Sequence, residues 1–143
     1  MILVSIIFYH LTKNNNDISY YYTDTSYEIR KEKPMELHAL GLNYSHDGSF
    51  DIRRPNGSGD NLLLIFKSSA VVRLHGREYS VSPDSAILYK KGTEQIYRAC
   101  KGFYINHWLH FDCDDTLTRD YSLPYDTILC YQTQRKLRIS YPQ

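Results

Sequence analysis

The chain has 143 residues, enough for a single domain around one core. Seventeen Lys and Arg against 16 Asp and Glu leave a formal charge of +1 and no long-range field for a polyanion, which argues against unaided nucleic-acid binding and for a small or neutral partner. The three cysteines, Cys100, Cys113 and Cys130, are odd in number, far apart and without paired zinc-ligand spacing, which fits free thiols in a reducing, cytoplasmic compartment.

Met1 to Leu11 is apolar but has no basic start and no small-residue cleavage site, and it falls far short of the roughly 20 residues of a spanning helix, so a strand and no membrane segment are expected. Thr12 to Asp17, with three consecutive asparagines, reads as a polar linker, and Ile18 to Thr23 as a short strand. Tyr27 to Lys33 is strongly charged and stops at Pro34, which makes residues 1–35 an exposed arm and 36–143 the packed domain.

From there, short apolar, β-branched and aromatic runs cut by Gly, Pro, Asp or Ser have strand length and not helix length. Leu37 to Tyr44 is expected as a strand, His46 to Ser49 as a turn, and Phe50 to Arg53 as a short strand leading into Arg54-Pro55. After the loop Asn56 to Asn61, Leu62 to Phe66 is apolar in both alternating sets and is expected to be buried on both faces. Ala70 to Leu74 and Arg77 to Val81 form a hairpin about His75-Gly76. Pro83 to Ser85 turns the chain into Ala86 to Tyr89, Lys90 to Thr93 turns it again, and Glu94 to Ala99 pairs with Phe103 to Phe111. Asp112 to Asp120 is an acidic loop, followed by strand candidates Thr127 to Tyr131 and Leu137 to Tyr141. The class is all-β, a barrel or sandwich.

In order and spacing, Arg54-Pro55-x-Gly57, Leu62 to Ile65, Gly76-Arg77-Glu78-Tyr79-x-Val81, Pro83-Asp84, Gly92 with Tyr97 after it, and Trp108-x-x-Phe111 resemble the amino-terminal effector-binding and dimerisation domain of AraC-family transcription regulators. The likeness runs from about Leu37 to Asp112. It implies a cupin-like jelly-roll barrel, or double-stranded β-helix, with an N-terminal arm, that senses an effector by holding it inside. It also implies a homodimer. Such regulators bind DNA through helix-turn-helix motifs, and nothing here fits a recognition helix, so a sensor fragment is expected, with DNA contacted only through a missing C-terminal domain.

In the arabinose-responsive member the sugar is held by an arginine before the first proline, a tyrosine in the later hairpin and a tryptophan on the next strand, which match Arg54, Tyr97 and Trp108. A histidine two before that tryptophan is Asn106 here, which changes the pattern of donors and acceptors. Alternation along the strand places Tyr104, Asn106, Trp108 and His110 on one face and Phe103, Ile105, His107, Leu109 and Phe111 on the other. The first face suits a polyol, with rings to stack on and polar groups to bond hydroxyls, or else Trp108 fills the barrel end and the polar groups bond each other. Arg54 either binds the guest or makes a surface ion pair, and Arg53 points the other way into solvent. The outer face, Phe103, Ile105, Leu109 and Phe111, needs a cover.

The expected ligand-binding set is therefore Arg54, Tyr97, Asn106, Trp108 and His110, with a saccharide as the expected effector, no catalysis, no cofactor and no metal. A barrel used only for dimerisation is the alternative. A metal-dependent cupin enzyme is a further one, but it needs a His-x-His pair and a later His, and the early strand has none while Gln95 stands at the later position.

Overall fold

The structure, a computed structural model, describes residues 35–114, 119, 122–132 and 136–139, the stretches 131–132 and 136–139 through their backbone only. The expected strands before Met35 lie outside the described residues. Ten strands are described: β1 Glu36–Asp47, β2 Asp51–Arg54, β3 Asn61–Phe66, β4 Ala70–Leu74, β5 Arg77–Val81, β6 Ser85–Tyr89, β7 Gln95–Ala99, β8 Phe103–Asp112, β9 Ile128–Gln132 and β10 Lys136–Ile139.

They form two antiparallel sheets, one in the order β1-β8-β3-β6-β9-β10 and the other β2-β7-β4-β5. The pairing is nested. β4 pairs β5, β3 pairs β6, β2 pairs β7 and β1 pairs β8, so each hairpin encloses the next.

β3 lies at the centre of this arrangement. Its even residues Leu62, Leu64 and Phe66 point between the sheets with Val72, Ile87, Tyr89, Tyr97 and Tyr104. Its odd residue Leu63 joins Leu88, Leu109, Phe111, Leu123 and Met35 on the outer face of the larger sheet. Both faces are thus buried, as two apolar alternating sets require, and each such side chain contributes roughly 1.5–3 kcal/mol on leaving water. Much of the outer face is already covered within the chain: Leu109 and Phe111 are buried, while Phe103 is 56% exposed.

The β4–β5 hairpin turns on His75 at φ 49° and Gly76 at φ 78°, the pair of left-handed residues whose twist matches that of its strands. Two expected boundaries move and one expected pairing fails. β1 runs on through Asp47, because the turn is built one step later at Gly48-Ser49, where the backbone N–H and hydroxyl of Ser49 both bond Asp47 Oδ1 at 2.8 and 2.5 Å. The second strand spans Asp51–Arg54, which brings Arg54 into the ladder opposite Gln95. And β7 does not pair with β8. Gly102, at φ 33°, sends the chain from one sheet to the other, so β7 lies between β2 and β4 while β8 lies between β1 and β3. A short connection suggested a hairpin, but it crosses between layers.

Among the described strands β1 is the edge of the larger sheet, and it carries two register shifts, between Leu37 and Ala39 and between Gly41 and Tyr44. In the second, Asn43 has φ 50° and gives its N–H to Nδ1 of His107 at 2.9 Å. Burial, and then the Lys67 ammonium, hold the His107 pKa below its usual value, which keeps that nitrogen an acceptor. Bulges of this kind twist an edge away from further pairing.

Candidate functional site

The inner face of β8 presents the expected ladder. Tyr104 and Asn106 are buried and Trp108 and His110 are half-buried, all directed between the sheets, while His107 points outward as alternation demands. The opposing sheet supplies Gln95 and Tyr97 from β7 and Arg54 from β2, the last directly across from Gln95. Arg53, one residue away, is exposed and pairs with Asp51 on its own strand at 3.0 Å.

At one end the interior is aromatic. Phe50 stacks on Tyr104 with centroids 4.5 Å apart, and Tyr97 sits 6.2 Å from Tyr104 and 6.4 Å from Tyr89. Burial drives the pKa of all three tyrosines upward, with Arg54 partly opposing it at Tyr97, so the hydroxyls stay protonated and offer donors. The Tyr89 and Tyr104 hydroxyls and Asn106 Oδ1 are buried with no hydrogen-bond partner among the described residues. The Asn106 amide lies near enough to Tyr104 to ease its ionisation slightly, but without hydrogen-bond geometry.

Trp108 leans over the edge strand. A Cβ on Gly41 would overlap its indole, so only glycine allows the ring to lie there, with Tyr44 edge-on at 5.9 Å and His110 at 5.4 Å. The alternative in which Arg54 makes an ordinary surface ion pair does not hold. Its Nη1 donates to Gln95 Oε1 at 3.3 Å, and Gln95 is fully buried.

From Gln95 a polar chain runs on that composition alone did not disclose. Gln95 Nε2 donates to Ser58 Oγ at 3.1 Å, Ser58 Oγ donates to Asp60 Oδ1 at 2.8 Å, and Asp60 also meets Nδ1 of His110 at 2.8 Å and Nδ1 of His38 at 3.1 Å. Arg54 and His110, from opposite sheets, are thereby joined. Asp60 lies in the Asn56 to Asn61 loop, which is pinned by Asn61 Oδ1 accepting the Lys91 N–H at 2.8 Å and by Gly57, at φ 69°, packed against the Thr93 carbonyl. The sequence signal for it was slight: a Ser two residues before a buried Asp, a spacing that favours a local side-chain bond.

Among the described residues no group of three or more His, Cys, Asp or Glu side chains is arranged to hold a metal ion, and no helix is long and apolar enough to cross a membrane. Neither a protein-family model nor a curated protein sequence matches the chain.

Proposed function

We propose that this chain is an effector-sensing and dimerisation domain of the AraC type, a cupin-like jelly-roll barrel that holds a small molecule, a sugar in our reading, between its sheets without transforming it. The nested pairing of the first eight strands supports the jelly roll. The observation that carries the ligand reading is the trio of partnerless buried polar atoms, Tyr89 and Tyr104 hydroxyls and Asn106 Oδ1, among stacked rings. Leaving such a group unpaired costs about 1–3 kcal/mol each, and a hydroxyl-bearing guest recovers that cost. Arg54 and Trp108 flank this interior. In this reading the domain works in the cytoplasm, a second subunit binds along β1, and DNA is contacted by a separate helix-turn-helix domain.

Calorimetry of the whole chain against neutral sugars tests it. A hit lost on Arg54→Ala and on Trp108→Ala is expected, and no hit across the panel sinks the proposal. A purely dimerising barrel is the second reading, favoured by the exposed Leu37, Leu40, Leu42 and Tyr44 along β1. Sedimentation decides that point: a dimer with no ligand response would favour it.

A further inference from the structure

Asp60 is where the polar chain converges, and it dictates where the hydrogens around it sit. The residue is 8% exposed, and its carboxylate touches Ser58 Oγ, His110 Nδ1 and His38 Nδ1. Burial works to raise its pKa, but the hydrogen bonds from His110, Ser58 and His38 outweigh it and hold the carboxyl below the usual range. An ionised carboxylate has no hydrogen to give, so all three contacts are donated to it. The proton of a neutral His110 ring therefore sits on Nδ1. Its Nε2 is left with a lone pair, and no described residue bonds it.

We propose that Asp60 is a positioning residue that sets what the His110 end of the site accepts: a hydroxyl or ammonium that can donate to His110 Nε2, and not a carboxylate or phosphate. Its ligand rests on the small-molecule reading above, but its geometry does not. The surrounding charge points the same way. Asp112 lies 3.5 Å from His38 Nε2 and adds a second carboxylate, partly offset from outside by Lys91 at 3.4 Å. The Arg54 cation bonds Gln95, and its link to Asp60 runs through Gln95 and Ser58. An anion brought up to His110 Nε2 meets a lone pair backed by the Asp60 carboxylate, whereas a hydroxyl meets an acceptor it can satisfy.

Long-range proton–nitrogen NMR on the ¹⁵N-labelled chain near pH 8, where an ordinary imidazole is neutral, reads the tautomer directly. The expected result is His110 protonated on Nδ1, with Asp60→Ala, which removes the acceptor, shifting it toward the Nε2–H form while the amide spectrum stays dispersed. A wild-type ring protonated on Nε2, or a tautomer unmoved in a folded Asp60→Ala, overturns the proposal. If that variant fails to fold, the wild-type tautomer decides alone. Glucose, glucosamine and glucuronate, which share a ring and differ in charge, then probe the preference. Glucuronate is expected to bind at least about tenfold more weakly, as a like charge beside a buried carboxylate should. Tightest binding by glucuronate overturns the proposal. Silence from all three counts against the sugar reading, and the His110 tautomer then upholds or overturns the role of Asp60 by itself.

Discussion

Replacing Tyr104 by Phe should stabilise the unliganded protein, which reverses the usual sign of a core substitution. Tyr104 is fully buried, stacked on Phe50, and its hydroxyl has no partner. The phenyl ring keeps that stacking and nearly all the volume, so the change removes only an unsatisfied polar group. Such a group carries a desolvation penalty of about 1–3 kcal/mol. The Asn106 amide beside it lowers the penalty somewhat, so a gain of about 1 kcal/mol is the working figure. In a domain of this size that corresponds to about 3–5 °C in Tm. Urea unfolding should show a higher midpoint at unchanged m, the sign of altered stability and not altered compactness. Tyr97→Phe is the contrast, since that hydroxyl lies in the field of Arg54 and is not among the partnerless atoms; it should be neutral or mildly destabilising. A loss of 1 kcal/mol or more in Tyr104→Phe would mean the hydroxyl is bonded after all, and the argument for a guest-ready interior would fail with it.

Gly41→Ala forces a Cβ into the Trp108 indole and should cost about 1–3 kcal/mol while shifting the emission of this sole tryptophan; unchanged fluorescence would show that the ring does not lie over β1. Gln95→Leu strips Arg54 of its acceptor and Ser58 of its donor inside the fold, and thermal unfolding should report a loss of about 1–3 kcal/mol. Asp60→Asn should flatten the acid limb of the stability curve. A carboxyl whose folded pKa is depressed contributes stability above its unfolded value near 4, and that stability disappears as pH falls through the lower folded value. Parallel acid limbs for wild type and variant would remove Asp60 from that account.

The fold was legible where local chemistry and tertiary position agree. The β4–β5 hairpin follows from Gly76 alone, and the double burial of β3 from two apolar sets that leave it no solvent face. The inward face of β8 follows from alternation, which a bulge-free central strand preserves; on β1 the same rule breaks, because two register shifts move Tyr44 onto the side of Trp108. The mispairing of β7 with β8 has a different origin. Short connections favour adjacent partners, but the nested topology places these strands in different layers, and only long-range pairing records that. The Asp60 cluster was illegible for the same reason. His38 and His110 reach the Asp60 carboxylate across 22 and 50 residues, and Gln95 joins only through Ser58, so apart from the local Ser58 contact no spacing along the chain announces such a meeting.

β1 is more closely engaged with the site than its exposure suggests. Gly41 lies under the Trp108 ring, Tyr44 meets its edge, and His38 reaches Asp60, so residues of this strand touch both ends of the inner face of β8. Among the described strands β3 and β6 are hydrogen-bonded on both sides, whereas β1 is bonded to β8 alone and is interrupted twice along that ladder. A strand held on one side gives way at lower cost than a central one. A guest that displaces the indole or bonds His110 therefore acts on β1 directly, with no relay through the close-packed interior. The outer side of the same strand carries Leu37, Leu40 and Leu42, the apolar side chains that a second subunit would meet. Under the proposed function, sensing and subunit contact would share one element, and the largest shift an effector could impose on that contact equals the difference in its affinity for the two settings of β1.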